Sequence, residues 1–428
     1  MRGVYVLLLI SLLGYAGRVS GQESVTITQC YEWARANYPQ IHQMGLIDQT
    51  ERYSLSNVGK AWLPQLSVSG KASYQSDVTK LPLDGDKISS LLPGFEIPSL
   101  SKDQYQVVAQ VDQTIWDGGS TRSARALTRA EAIANREQLE SELYSLNDRV
   151  NQIYFGCLLQ DELIRQNALL QKELQVNIER IKAMMENGVA NQSDLESMEV
   201  ELLNARQNEI ELKASRTVYR QMLATFINKP LTDQVVLKTP ESPERSLSTQ
   251  INRPELRALD AKSEWIETQN KQVTAGLMPR IGAFVQGGYG RPGLNMLEDS
   301  FEPYYVAGVR LSWNLGKLYT LKNDRRKIEV SRRQIDVQRE TFLFNTRLQL
   351  LRQNTEIKKM TDLMRADDDI IRLRTSIKQA AEVKLENGVI SVTDLIREIN
   401  AEDMARQTAA AHRVQRLMTI YNYMYTTN

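Results

Sequence analysis

The sequence predicts a mostly α-helical chain with a transmembrane β part, laid out as a duplicated repeat of helix, strand hairpin and very long helix. Three observations lead there. A tip motif occurs twice, as MENGVANQSDL at 185–195 and LENGVISVTDL at 385–395, a constant offset of 200 residues. Four stretches leave helical periodicity for strict apolar–polar alternation. Beyond an apolar start, no run is long enough for a membrane helix. A bilayer could then be crossed only by strands in a closed barrel.

Met1 to Gly21 reads as an export signal to be cleaved: Arg2 gives a positive start, Val4 to Leu13 is almost wholly apolar, and Val19-Ser20-Gly21 resembles a small-residue cleavage site. Without these residues the chain carries 51 basic and 52 acidic residues, and that balance argues against nucleic acid as a partner. Cys30 and Cys157 are the only cysteines. Neither sits at metal-ligand spacing, and two do not make a disulfide framework.

The first repeat covers residues 22–228. A helix from Thr28 to Asn37 is interrupted at Tyr38-Pro39, and a second runs to about Trp62, where Pro64 ends it. Strands follow at about 65–78 and 104–117. In the first, Leu66, Val68, Gly70, Ala72 and Tyr74 alternate with Ser67, Ser69, Lys71 and Ser73. In the second, Tyr105, Val107, Ala109 and Val111 alternate with Gln104, Gln106, Gln110 and Asp112. The Pro-, Gly- and Ser-rich stretch 81–100 joins them as a hairpin loop. A helical hairpin occupies about 120–228. Its first arm is predicted unbroken from Ser120 to Asn187, roughly 100 Å at about 1.5 Å per residue. Leu139, Leu143, Leu146, Val150, Ile153 and Cys157 form a coiled-coil seam along it. Asn187-Gly188 stops the helix, Ser193-Asp194 caps the returning one, and Met198, Leu202 and Ala205 carry it towards Ile227. Residues 229–252, with three prolines, are the inter-repeat linker.

The second repeat, 253–428, replays the first. Pro254 answers Pro39 and Pro279 answers Pro64, both at an offset of 215. Strands are predicted at about 280–290 (Ile281, Ala283, Val285, Tyr289) and 303–314 (Tyr305, Ala307, Val309, Leu311, Trp313 against Tyr304, Gly308, Arg310 and Ser312). A second helical hairpin spans about 317–424, with Val330, Val337, Phe344 and Leu351 recurring every seven residues and Thr393-Asp394 capping its return. Four strands cannot close a transmembrane barrel, since the smallest have about eight. Three copies of the chain would make one of twelve strands, apolar faces to lipid and polar faces to a lumen. Tyr74, Tyr105, Trp116, Tyr289, Tyr304, Tyr305 and Trp313, near strand ends, would form its aromatic girdle.

Taken in order and twice over, LPQLSVSG, the strand-to-helix passage TIWDGGSTRSA and the two ENGV tips resemble a TolC-like outer-membrane factor of the outer-membrane efflux protein family, over essentially the whole mature chain. The resemblance implies a homotrimer whose twelve-stranded β-barrel, set in the outer-membrane lipid of a Gram-negative-type bacterium, continues into a periplasmic α-helical barrel. It implies a passive exit duct of a tripartite efflux or type I secretion system, with a periplasmic adaptor (membrane fusion protein) and an inner-membrane transporter as partners. It assigns adaptor docking to Gly188, Val189, Gly388 and Val389, although both glycines also fit plain helix C-caps. Asp394, with its counterpart Asp194 and the nearby Arg397, falls at the periplasmic entrance, where like charges in a trimer would repel and ease dilation. Asp394 fits an N-terminal helix cap as well. Some members carry a second aspartate where this chain has Arg397, and a basic residue where it has Ile390. Closure here would therefore rest on helix packing more than on ion pairs.

Gly288 to Gly293 matches GxGxxG but no helix follows, so it reads as an extracellular hairpin turn. Asp367-Asp368-Asp369 reads as a solvated helix face. His42 and His412 are isolated, and no catalytic set, metal site or cofactor is expected. The alternative is a periplasmic coiled-coil adaptor or scaffold. That protein would carry a lipoyl-like or barrel-type strand cluster outside its hairpin, and none is found in the sequence.

Overall fold

The computed structural model describes residues 24–79, 100–242 and 250–428; the predicted export signal and nearly all of the 81–100 loop lie outside the described residues. Two compact units are present, and each draws on both sequence repeats. One takes the chain up to Gln43, Gln138–Leu256 and Glu340–Asn428; the other takes Met44–Glu137 and Arg257–Arg339.

The first unit is helical. It holds α1 (Ile27–Asn37), the end of α3 (Ser120–Tyr144), α4 (Leu146–Glu186), α5 (Gln192–Ile227), the greater part of α7 (Lys317–Glu386) and α8 (Val392–Thr427). The seam expected along the first long arm is formed: Leu139, Leu143, Leu146, Val150, Ile153 and Cys157 are all buried. The arm itself is not continuous. At Ser145 the N–H and the hydroxyl both turn back to the Glu142 carbonyl (3.2 and 2.7 Å) and interrupt the helix between α3 and α4. This is the local competition that places Ser poorly in helix interiors.

Two short strands, β1 (Ser24–Val25) and β4 (Val236–Leu237), pair in parallel and hold the linker to the core. The Tyr154 hydroxyl lies 2.9 Å from the Val25 carbonyl and 2.7 Å from that of Lys238. The buried Arg220 donates to the carbonyls of Thr232 (2.7 Å) and Val235 (2.6 Å). Backbone acceptors that an irregular segment would leave orphaned are thus satisfied by one guanidinium. Cys30 and Cys157 are free thiols in this core, and burial pushes each up to about 12, which makes them inert.

The second unit holds α2 (Gln43–Lys60), the first part of α3, α6 (Pro254–Ala275), the start of α7 and an antiparallel sheet. The sheet strands are β2 (Gln65–Tyr74), β3 (Asp103–Trp116), β5 (Arg280–Arg291) and β6 (Glu302–Ser312), in the order β2-β3-β5-β6. The central pair joins one strand from each repeat, with Val107 opposite Tyr289 and Val111 opposite Val285. Gly288 to Arg291 lie within β5 rather than in a turn. A Cβ on Gly290 would meet the Tyr105 carbonyl at 2.6 Å, so this glycine serves close strand approach.

The heptad stripe on α7 lies on the exposed side of that helix. Val330, Val337, Phe344 and Leu351 are 54–64% exposed, while Ile328 and Ile335 face inward with Ile266. Among the described residues no helix is long and apolar enough to cross a membrane.

Candidate functional site

Two places carry functional geometry: the paired helix tips of the first unit and the sheet of the second. At the first tip α4 ends with Gly188 in the left-handed region (φ +72°). The Gly188 N–H donates to Met185 O and the Val189 N–H to Met184 O, both at 2.9 Å. The second tip repeats this, with Gly388 at φ +65° donating to Leu385 O (2.9 Å) and Val389 to Lys384 O (2.8 Å). Each pair closes the last helical turn on its own carbonyls. Asn187 and Asn387 add a side-chain amide to the carbonyl four residues back, at 2.8 and 2.7 Å.

The returning helices are capped two residues earlier than Ser193 and Thr393, at Asn191 and Ser391. Asn191 accepts from the Asp194 N–H (3.0 Å) while Asp194 accepts from the Asn191 N–H (3.1 Å); Ser391 and Asp394 do the same at 3.2 Å each. These are reciprocal capping boxes, and the signal for them was the N/S-x-x-D spacing. Hydrogen bonds from Ser391 hold the Asp394 carboxyl below its ordinary range. Arg397, largely exposed, sits 3.3 Å from Asp394 and 3.3 Å from Glu398.

Behind the tips, the two hairpins share one core that includes Ile181, Met198, Leu395 and Ile399, and Ala190 and Ile390 pack against it. Val189 and Val389 point the other way, 57% and 68% exposed. A Cβ built on Gly188 or Gly388 meets nothing within 4 Å.

Further along the same helices lies a charged cluster that sequence spacing did not reveal. Glu402 is 2% exposed and receives Lys378 (2.7 Å), Thr375 (2.5 Å) and Arg406 (2.5 Å), while Lys378 also bonds Glu173. His412 is not isolated: its Nδ1 lies 2.7 Å from Asp367, which is buried, whereas Asp368 and Asp369 are exposed as expected.

In the sheet, register sorts every side chain to one of two faces. Leu66, Val68, Val107, Val111, Val285, Val309 and Leu311 share one face and are 37–71% exposed. Tyr74, Tyr105, Tyr289 and Tyr305 lie on this face towards the hairpin ends; Trp116 and Trp313 lie at the helix end, and all six are exposed. Tyr304 departs from the expected girdle. It lies on the polar face, where its hydroxyl accepts from the Gln106 amide. That face also holds Asp112, 3.9 Å from Arg310, with the Arg310 guanidinium 4.8 Å over Phe284. Among the described residues no group of His, Cys, Asp and Glu is arranged to hold a metal.

An amphipathic sheet with a bare apolar face, continuing into long helical hairpins with two matched tips, is the architecture of outer-membrane channels. The family model described as outer membrane efflux protein matches residues 30–229. Among solved structures, CusC aligns with a TM-score of 0.66 at 13% identity, covering 94% of this chain and 92% of its own. The VceC outer membrane protein of Vibrio cholerae aligns at 0.62 and 12%, covering 93% and 95%. The open-state MtrE outer membrane channel of Neisseria gonorrhoeae aligns at 0.62 and 14%, covering 94% and 88%. No protein of curated function matches the sequence. Residues 30–229 thus match the outer membrane efflux protein family, and the chain as a whole has the fold of these outer-membrane channels.

Proposed function

We propose that three copies close a twelve-stranded barrel in the outer membrane that continues into a periplasmic helical barrel, forming a passive exit duct. The duct serves a tripartite efflux or type I secretion system, and the chain reaches the membrane after cleavage of the 1–21 signal. The observation that carries this reading is the sheet: one face carries exposed apolar side chains from all four strands, and β2 and β6 have no outer strand partner among the described residues. An unpaired strand edge beside an apolar face is a liability in water and a joint in a barrel assembled from several chains.

The tips at Gly188, Val189, Gly388 and Val389 dock the periplasmic adaptor, which takes cargo from the inner-membrane transporter. Asp194, Asp394 and Arg397 line the periplasmic entrance. Because each aspartate is engaged by its own cap, and Asp394 by Arg397 as well, the closed state is held by the core behind Ile390.

Fractionation of the cell envelope, then light scattering on the detergent-solubilised protein, tests the assembly. A trimer from the outer membrane is expected; a soluble periplasmic monomer would transfer the case to an adaptor or scaffold. For docking, Gly188→Trp and Gly388→Trp should lower adaptor cross-linking and efflux while the trimer persists. Gly188→Asn and Gly388→Asn, which tolerate the left-handed backbone, should not. Unchanged cross-linking and efflux in both Trp variants removes the docking assignment.

A further inference from the structure

Where the strands of the second unit give way to helices, α3 and α6 and the residues just after α2 enclose a cleft of about 930 Å³. Arg122, Arg125, Arg129 and Lys271 line it, all exposed, and none has an ion-pair partner among the described residues. The pattern is local. Further along the same helices, Arg136 is paired with Asp48, Arg332 with Glu267 and Arg339 with Asp260, each at 2.8 Å. Among the described residues the one acid lining the cleft, Asp117, is already committed: its two oxygens accept from the N–H groups of Gly119 (2.9 Å) and Thr121 (2.6 Å). Four cations gathered without counter-charge repel one another unless an anion joins them.

Two hydrogen bonds fix which side of the sheet the cleft belongs to. Gln113 is on the apolar face by register and Trp313 directly follows β6, and they donate to the carbonyls of Trp62 and Leu277, both at 2.9 Å. Trp62 and Met278, the neighbour of Leu277, form the exposed apolar lip of the cleft, 39% and 42% exposed. The basic cleft therefore begins where the apolar face ends, below the rim made by Trp116 and Trp313. A second copy of the chain is poorly suited to neutralise it, because the start of α7 adds five basic residues to one acid over 317–328. The cleft also holds an acceptor, Asn270 Oδ1, that is buried with no donor among the described residues.

We propose that this cleft seats the headgroup of an anionic phospholipid from the leaflet adjoining the helices. Arg122, Arg125, Arg129 and Lys271 take the phosphate, and Asn270 accepts from a headgroup hydroxyl such as that of phosphatidylglycerol. Basic residues beside a membrane surface and aromatic residues at its boundary are the physical basis of such recognition. The assignment rests on the membrane reading of the sheet given above.

The test uses the purified full-length assembly in vesicles of brominated phosphatidylglycerol or brominated phosphatidylcholine, with tryptophan quenching as readout. Phosphatidylglycerol is expected to displace phosphatidylcholine from the quenching shell with a preference of about tenfold. The Arg122→Gln/Arg125→Gln/Lys271→Gln variant should lose that preference while phosphatidylcholine quenches it as fully as the parent. Equal quenching by both lipids in the parent, or a preference that survives in the variant, overturns the proposal. Abolition of the preference by inorganic phosphate would assign the cleft to the free ion, and dissociation of the variant to monomers would assign it to subunit contact; either overturns the lipid. No quenching by either lipid would instead show that the sheet is not in the bilayer, and both readings fall.

Discussion

Glu402 and Asp403 are consecutive on α8 and meet opposite electrostatic surroundings, since adjacent helical residues point about 100° apart. Burial pushes the Glu402 carboxyl up, but hydrogen bonds from Lys378, Thr375 and Arg406 outweigh it and hold the group at about 2. Burial pushes Asp403 up to about 6; its bond from Gln407 opposes that, and the Glu173 charge adds to it. The signs differ accordingly. Glu402 stabilises the fold above its ordinary value near 4.5 and loses that contribution as pH falls towards 2. Asp403 costs stability once it must ionise, so that cost grows as pH rises from its ordinary 3.8 through about 6. Asp403→Asn is expected to raise the thermal midpoint near neutral pH, by on the order of 1 kcal/mol after allowance for partial exposure. The gain should vanish near pH 4. Thermal melts across that range decide the matter, and equal midpoints at neutral pH would contradict the electrostatic account.

At the scale of elements, the tips show how two helices are joined by very few residues. The Asn-Gly stop satisfies the last carbonyls of one helix, and the N/S-x-x-D box satisfies the first N–H groups of the next. Asn191→Ala and Ser391→Ala should each cost about 1 kcal/mol of local stability, whereas Ser193→Ala and Thr393→Ala should cost little. Amide hydrogen exchange in the first turns of α5 and α8 reads this directly. Faster exchange in the Ser193 variant than in the Asn191 variant would return the capping role to the residue that local sequence first suggested.

For the molecule as a whole, the sheet gives the sharpest contrast. Val107 and Val108 are adjacent and chemically identical, yet register places Val107 on the apolar face beside Tyr289 and Val108 on the polar face beside Gly288. Val107→Arg should impair folding into lipid vesicles by about 2–4 kcal/mol, as expected for a charge on the lipid side of a barrel. Val108→Arg should be tolerated, because in the proposed barrel its face lines the lumen. The opposite ranking would invert the sheet, and equal tolerance would remove it from the membrane.

What the sequence determined by itself is whatever follows from backbone geometry. Period-two alternation marked the strands and divided their faces, an Asn-Gly stop repeated at an offset of 200 located the tips, and steps of three and four marked the buried seam from Leu139 to Cys157. Each depends only on where a side chain points from its own backbone. Tertiary structure decided what depends on a partner distant in sequence. It turned the Val330 to Leu351 stripe outwards, because period seven identifies a helix face but not the surface that covers it. It brought Asp367 to His412 and Lys378 to Glu402 across two antiparallel helices, placed Tyr304 against Gln106, and left Arg122, Arg125, Arg129 and Lys271 around one cleft whose acid, Asp117, is committed to backbone N–H groups. Spacing along the chain carries no trace of such meetings, since they are set by how helices and strands pack and by which charges remain uncompensated once they have packed.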